Sequence, residues 1–367
     1  MLGVVGCLLG CVSPYDVRYD LNANVVTVEG FVTDESGATV ILKRSISQNV
    51  SSYDVPLKGC TAAIRTGNGS DVALAETSEG IYVTPADFKG QAGQTYQLRF
   101  KTKEGQSYES SLEKMIAVPD IKKVYQQYDP KGLLNNEGTK VLAATTNIFI
   151  DFDDPAADRN FYLWRWTLWE RQSICITCEQ GIYLYDPAGG ECLRVFSNPA
   201  APTYDYVCNK NCWEILRSKD LNVFSDGYSN GRAVVGRSIA KIPLYSRLGA
   251  LIEIEQLGLG PAAYEYYELL RNQTQTTGTL TDTPPAPIIG NIRNSNDLQE
   301  KVVGYFGAAT VKKVRYWIDR SSYTDAQLTS LLGREPNLEP ASPFRPPSAP
   351  CLPSRNRTPF TPQGWRQ

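Results

Sequence analysis

TYQLRFKTKEGQSYESS, residues 95–111, decides the fold class. Tyr96, Leu98 and Phe100 fall on one face of an extended chain, and Gln97, Arg99 and Lys101 on the other. That is the period-two pattern of a half-buried strand. Glu104-Gly105 then turns the chain into a second strand over 106–111. The alternation recurs upstream, where Val26, Val28 and Val32 alternate with Thr27, Glu29 and Phe31. Asp34-Glu35-Ser36-Gly37 is a turn signal leading into a strand over 39–45. A further strand over 56–66 closes at Gly67-Asn68-Gly69. Strands of this length with regular turns predict an N-terminal immunoglobulin-like β-sandwich over 21–118.

Val118-Pro119-Asp120 reads as a boundary. Beyond it, strands are expected over 121–128, 146–152, 160–170, 237–246, 250–255, 302–309 and 311–319, giving a second, larger β-rich domain over 119–320. Its one convincing helix runs over 262–273 (AAYEYYELLRNQ). Pro261 suits the first helical turn, and Tyr266, Leu269 and Leu270 can face inward. The expected class is therefore all-β with one short helix. The last segment, 321–367, differs: from Arg334 onward 9 of 34 residues are proline, a composition that predicts an extended, disordered tail.

The whole chain has 367 residues, enough for two or three domains. With 37 Lys+Arg against 39 Asp+Glu the net charge is −2, which gives no general pull toward nucleic acid. There is no His. That excludes Ser-His-Asp and Cys-His nucleophile systems and His-containing zinc hydrolase sites. Carboxylate chemistry stays open. No phosphate loop or basic-aromatic patch appears, and no cofactor is expected.

Residues 1–11, MLGVVGCLLGC, form an apolar run too short to span a bilayer. A small residue, Gly10, precedes Cys11, the pattern of a lipoprotein signal whose peptidase cuts before the cysteine. Cys7 is a poorer second candidate. No Lys or Arg precedes Cys11, so the usual positive region is missing: either the start is misassigned, or the run is no signal and forms a buried N-terminal strand, the alternative reading. Residues 12–20 read as a polar tether. The expected anchor is lipid on Cys11, holding the protein to the membrane without spanning it.

Cysteines cluster over 171–213. Cys175 and Cys178 form a CxxC, Cys192 follows, and Cys208 and Cys212 form a CxxxC. A four-Cys zinc site has comparable spacing. A lipoprotein, however, folds where thiols oxidise, so disulfides are the preferred reading, their pairing open. Cys351 could partner the odd cysteine if the tail folds back, and Cys60 reads as a small packed side chain in a strand.

Other motifs have plainer readings. Asp151, Asp153 and Asp154 could bind calcium but lack the EF-hand pattern, and a solvated turn explains them better. Phe161, Tyr162, Trp164, Trp166 and Trp169 could form a stacking platform, yet an apolar residue on both faces marks a buried central strand. Tyr264, Tyr266 and Tyr267 could face a ligand, but helix-on-sheet packing accounts for them. Asn68-Gly69-Ser70 and Asn272-Gln273-Thr274 match the glycosylation sequon and carry little weight here.

These segments together resemble the Bacteroidota lipoproteins gathered as domain-of-unknown-function family 4249. CVSPYDVRYDLNANVVTVEGFVTD (11–34) resembles that family's lipidated cysteine, short linker and first strand. Residues 80–110, GIYVTPADFKGQAGQTYQLRFKTKEGQSYES, resemble its G-x-Y…G-x-x-G-x-x-Y-x-L…G-x-x-Y-x-S pattern. Residues 262–316 resemble its tyrosine helix, P-P-x-x-x-x-G-N-I turn and G-Y-F strand. The tail departs from the family's usual end. The resemblance implies an outer-membrane, surface-exposed lipoprotein associated with a TonB-dependent transporter or a partner lipoprotein in nutrient uptake. It implies no catalytic residue. Two alternatives remain: a structural surface interaction protein, or a carboxylate-based glycan hydrolase assembled from the Asp151–Asp154 loop with Glu265 or Glu170.

Overall fold

A computed structural model describes residues 23–48, 51–134, 140–156, 158–186, 189–198, 200–274, 288–323, 327–343 and 348–366. Cys7, Cys11 and the tether lie outside the described residues. The class is all-β, with one helix, Pro261–Thr274, among the described residues. No described helix is long and apolar enough to cross a membrane.

The alternating valines of Ala23–Thr33 place Val26, Val28 and Val32 at zero exposure, while Glu29 on the opposite face stays exposed. This strand pairs with Gly37–Gln48 through a tight turn in which Gly37 adopts φ 68°. The sheet continues edge to edge through Ile81–Val83, Asp71–Ser78, Thr61–Thr66, Thr95–Lys101 and Ser107–Ser110. Tyr96, Leu98 and Phe100 face its core as their period requires.

Two strands from far downstream join this sheet. Val302–Ala309 runs parallel to Ala23–Thr33, with Val26 opposite Val302 and Glu29 opposite Tyr305. Ile292–Asn294 pairs with Ser107–Ser110 at the other edge. The edges then meet: Ile289 bridges Val303, and the Asn291 side chain donates to Phe306 O (2.8 Å) and accepts from Phe306 N (2.9 Å). The sheet is thus rolled, barrel-like, and the expected boundary at 118 is crossed by the segment 292–309. Parallel pairing needs a long connection, and here the intervening β unit supplies it.

That unit packs two sheets. One contains Ile121–Leu134, Val141–Asp153 and Ala233–Pro243; the other runs Val311–Ile318, Ala250–Leu259, Phe161–Arg171, Trp213–Arg217 and Arg357–Thr358. Phe161–Arg171 is central, with neighbours on both edges. One face gives Tyr162, Trp164 and Leu168 to the core between the sheets; the other gives Phe161 and Leu163 to a cluster with Leu257, Leu259, Ala263 and Tyr305. The buried-strand reading of the aromatic run holds. Trp164 donates Nε1–H to Gln256 Oε1 at 2.9 Å, so its one polar atom is satisfied in the core.

The tail corrects the expectation of disorder. Among its described residues proline leaves it two short strands, Ser348–Ala349 and Arg357–Thr358. Side chains fix it instead. Arg334 grips the buried Asp205 with both terminal nitrogens (2.8 and 2.9 Å), and Trp365 packs edge-on against Trp213 and Trp317 at 5.6 and 5.0 Å. Cys351 is tied to Cys212.

Candidate functional site: a cleft where the two units meet

The outward face of Ala23–Thr33 is half of a cleft. Residues Thr27, Glu29 and Phe31 point away from the barrel core because Val26, Val28 and Val32 point into it. Val303 and Tyr305 lie beside them through the parallel register, and Thr39 and Ile41 flank them from the antiparallel neighbour. The opposing wall is Tyr266, Tyr267 and Leu270 of the helix, with Arg165 from the central aromatic strand. The cleft, half open to solvent, has a volume of about 650 Å³, within the range typical of small-molecule sites at unit junctions.

Rings dominate this wall. Phe31 stacks with Tyr267 at 6.0 Å, Tyr266 lies 5.2 Å from Tyr267, and Tyr266 lies 5.1 Å from Tyr305. The Arg165 guanidinium sits 5.4 Å above the Phe31 ring, a cation–π arrangement. Its Nε lies 3.7 Å from Glu255, whose carboxylate also receives Lys313 at 3.0 Å. Gly304 lines the cleft with φ 105°; a Cβ there would meet Val28 O at 1.9 Å, so the strands can approach only with glycine.

Burial pushes the phenols of Tyr266, Tyr267 and Tyr305 above their ordinary value, so all three stay protonated at neutral pH. Among the described lining residues Glu29 is the one carboxylate. Carboxylate hydrolysis of a glycosidic bond needs a pair about 5–10 Å apart. The described lining offers aromatic faces, hydroxyls, one guanidinium and one carboxylate.

The helix earns its place through this wall. Pro261 opens it, Ala263 is buried, and Tyr264 packs on Phe161 at 4.8 Å while donating to Glu268 at 2.6 Å. Tyr264 is thus structural, whereas Tyr266 and Tyr267 face the cleft. Leu269, expected inward, is 50% exposed; the tyrosines, one turn earlier, take the packing face instead.

A family-level sequence model described as a domain of unknown function, DUF4249, matches residues 12–315. The chain belongs to the DUF4249 family. A search of the curated proteins found no match. The DUF4249 segment includes every cleft residue named above, and it ends before the tail with Arg334, Cys351 and Trp365.

Outside the cleft, the other sequence candidates scatter. Asp151 accepts from Gly236 N at 2.8 Å, Asp153 pairs with Lys122, and Asp154 is buried against the Tyr162 hydroxyl. Glu170 is fully buried in a two-pronged ion pair with Arg320 (2.6 and 3.0 Å). Tyr162 and Glu170 stand roughly 26 Å apart along their strand, at about 3.3 Å per residue, so Asp154 and Glu170 are not brought together. Glu265 lies on the helix's exposed face.

The cysteines of the 171–213 region pair as Cys175–Cys208 and Cys178–Cys192, and Cys212 bonds Cys351. The sulfurs of Cys175, Cys208 and Cys212 gather within 4.8 Å, and each is engaged in a disulfide. Cys60, expected within a strand, precedes Thr61–Thr66 as a half-buried thiol donating to Leu57 O at 3.6 Å.

Sequence reasoning named the helix tyrosines and missed their partners. Phe31 stood on the polar face of an otherwise clean alternation, and Arg165 interrupted Trp164 and Trp166. Both were visible irregularities; that they meet is shown by the fold, which sets the Arg165 guanidinium over the Phe31 ring.

Proposed function

We propose that the protein is a lipid-anchored binding component at the outer-membrane surface, holding a ligand in the cleft and serving a TonB-dependent transporter or partner lipoprotein in uptake. The observation that carries the reading is the cleft itself: a ring-lined space at the junction of the two units, with Arg165 and Glu29 at its edge and a single described carboxylate. The three disulfides support maturation in an oxidising compartment. The run of residues 1–11 ending in Cys11 supports the anchor. Cys11→Ala tests it: the variant is expected to leave the membrane fraction and accumulate as precursor. A variant that stays membrane-bound at wild-type size contradicts the anchor.

A structural surface role is the second reading, favoured by one feature. The disulfide-stapled hairpin of Gly181–Leu184 and Glu191–Arg194 exposes Leu184 and Leu193, with Val195 just beyond. Exposed apolar clusters of this kind mark contact surfaces. Co-purification from detergent-solubilised outer membrane separates the readings, since a transporter in the eluate favours uptake and its absence favours the structural role.

A further inference from the structure

We infer that the cleft binds a neutral sugar, as two or three linked rings, an inference that rests on the cleft being the ligand site. A sugar ring is amphipathic. Its C–H faces stack on aromatic rings, and its hydroxyls both donate and accept. The cleft presents that combination: half-buried Tyr266 and Tyr267 against Phe31 on the apolar side, and Arg165 and Glu29 on the polar side.

Charge decides between ligand classes. A carboxylate ligand would meet Arg165 but also Glu29 in the lining, which Lys43 pairs from outside at 3.5 Å, and Glu255 behind the guanidinium, so no cation of the lining stands without a carboxylate beside it. A cationic ligand would meet Arg165. A neutral polyol gives each group a partner: hydroxyl oxygens accept from the Arg165 fork, and hydroxyl hydrogens are donated to Glu29. Arg165 keeps 43% of its side chain exposed while its guanidinium carbon lies 5.4 Å over the Phe31 ring and its Nε 3.7 Å from Glu255, two contacts that restrain the fork before a ligand arrives. The volume of about 650 Å³ accommodates a short oligosaccharide rather than a single metal ion or a long chain.

The test uses the full chain purified in detergent and saturation-transfer NMR with calorimetry. The neutral probes are maltotriose, cellotriose and mannotriose; the contrasting probes are trigalacturonate and the tripeptide Ala-Phe-Ala. At least one neutral trisaccharide is expected to bind, with affinity falling about tenfold or more in Tyr266→Ala and in Arg165→Met, the loss of one good contact each. Circular dichroism melts of both variants keep a folding defect from being read as lost binding. Trigalacturonate or the tripeptide binding alone, with the same variant sensitivity, overturns the sugar assignment and leaves the cleft as the ligand site. Sugar binding that neither variant changes, or no binding by any probe, overturns the assignment, and in the last case co-purification with a transporter decides separately whether the uptake role survives.

Discussion

Asp154 shows how one residue read as a solvated turn becomes part of the core. Its carboxyl accepts from the Tyr162 hydroxyl and from Gly231 N at 3.0 Å, beside the fully buried Asp226, which itself accepts from Asn160 N at 2.8 Å. Burial, then the neighbouring Asp226 charge, pushes the Asp154 carboxyl above its ordinary 3.8. The folded state therefore holds a proton that the unfolded chain releases sooner. Stability from this group is complete below about 3.8 and falls as pH rises through the raised folded value. Asp154→Asn is expected to flatten that decline, measured as denaturant midpoint against pH; a wild-type slope in the variant contradicts it. Glu170 is a second residue whose role its sequence neighbours hid. Glu170→Ala strands the buried Arg320 charge and is expected to destabilise by about 3–5 kcal/mol in urea titration.

Elements were legible where one face was apolar. The strands over 26–32, 96–100 and 146–152 and the aromatic strand follow from alternation or from a doubly apolar face, because burial of side chains at period two is a local property. Trp164→Ala in the aromatic strand is expected to cost about 3–5 kcal/mol, since the site is fully packed and cannot collapse. The tail was misread for a physical reason. Proline forbids ladders but not order, and what orders this segment is contact over long sequence distances: Arg334 with Asp205, Trp365 with Trp213, Cys351 with Cys212. The Cys212–Cys351 bond spans 139 residues, so in the chain-entropy account Cys351→Ser is expected to lose about 5 kcal/mol. Limited proteolysis should then release the tail first; a tail as protected as in the wild type contradicts the assignment.

At the scale of the whole molecule, the decisive fact is the return of 292–309 to the first sheet. Its apolar run marked Val302–Ala309 as a strand but could not say which sheet it joins, because both faces of it are apolar and its partner lies about 276 residues away. The cleft depends on that pairing, since Tyr305 reaches Tyr266 only through it. Half of the site was thus visible as tyrosines on a helix, and half was not. The proposed function has this molecule working outside the cytoplasm on a lipid anchor, with the cleft open to a ligand. Mass spectrometry of the amino terminus from membrane-extracted protein tests that most directly. The account predicts a mature chain beginning at Cys11 and carrying fatty acyl groups; an unmodified amino terminus on a soluble cytosolic species would contradict it.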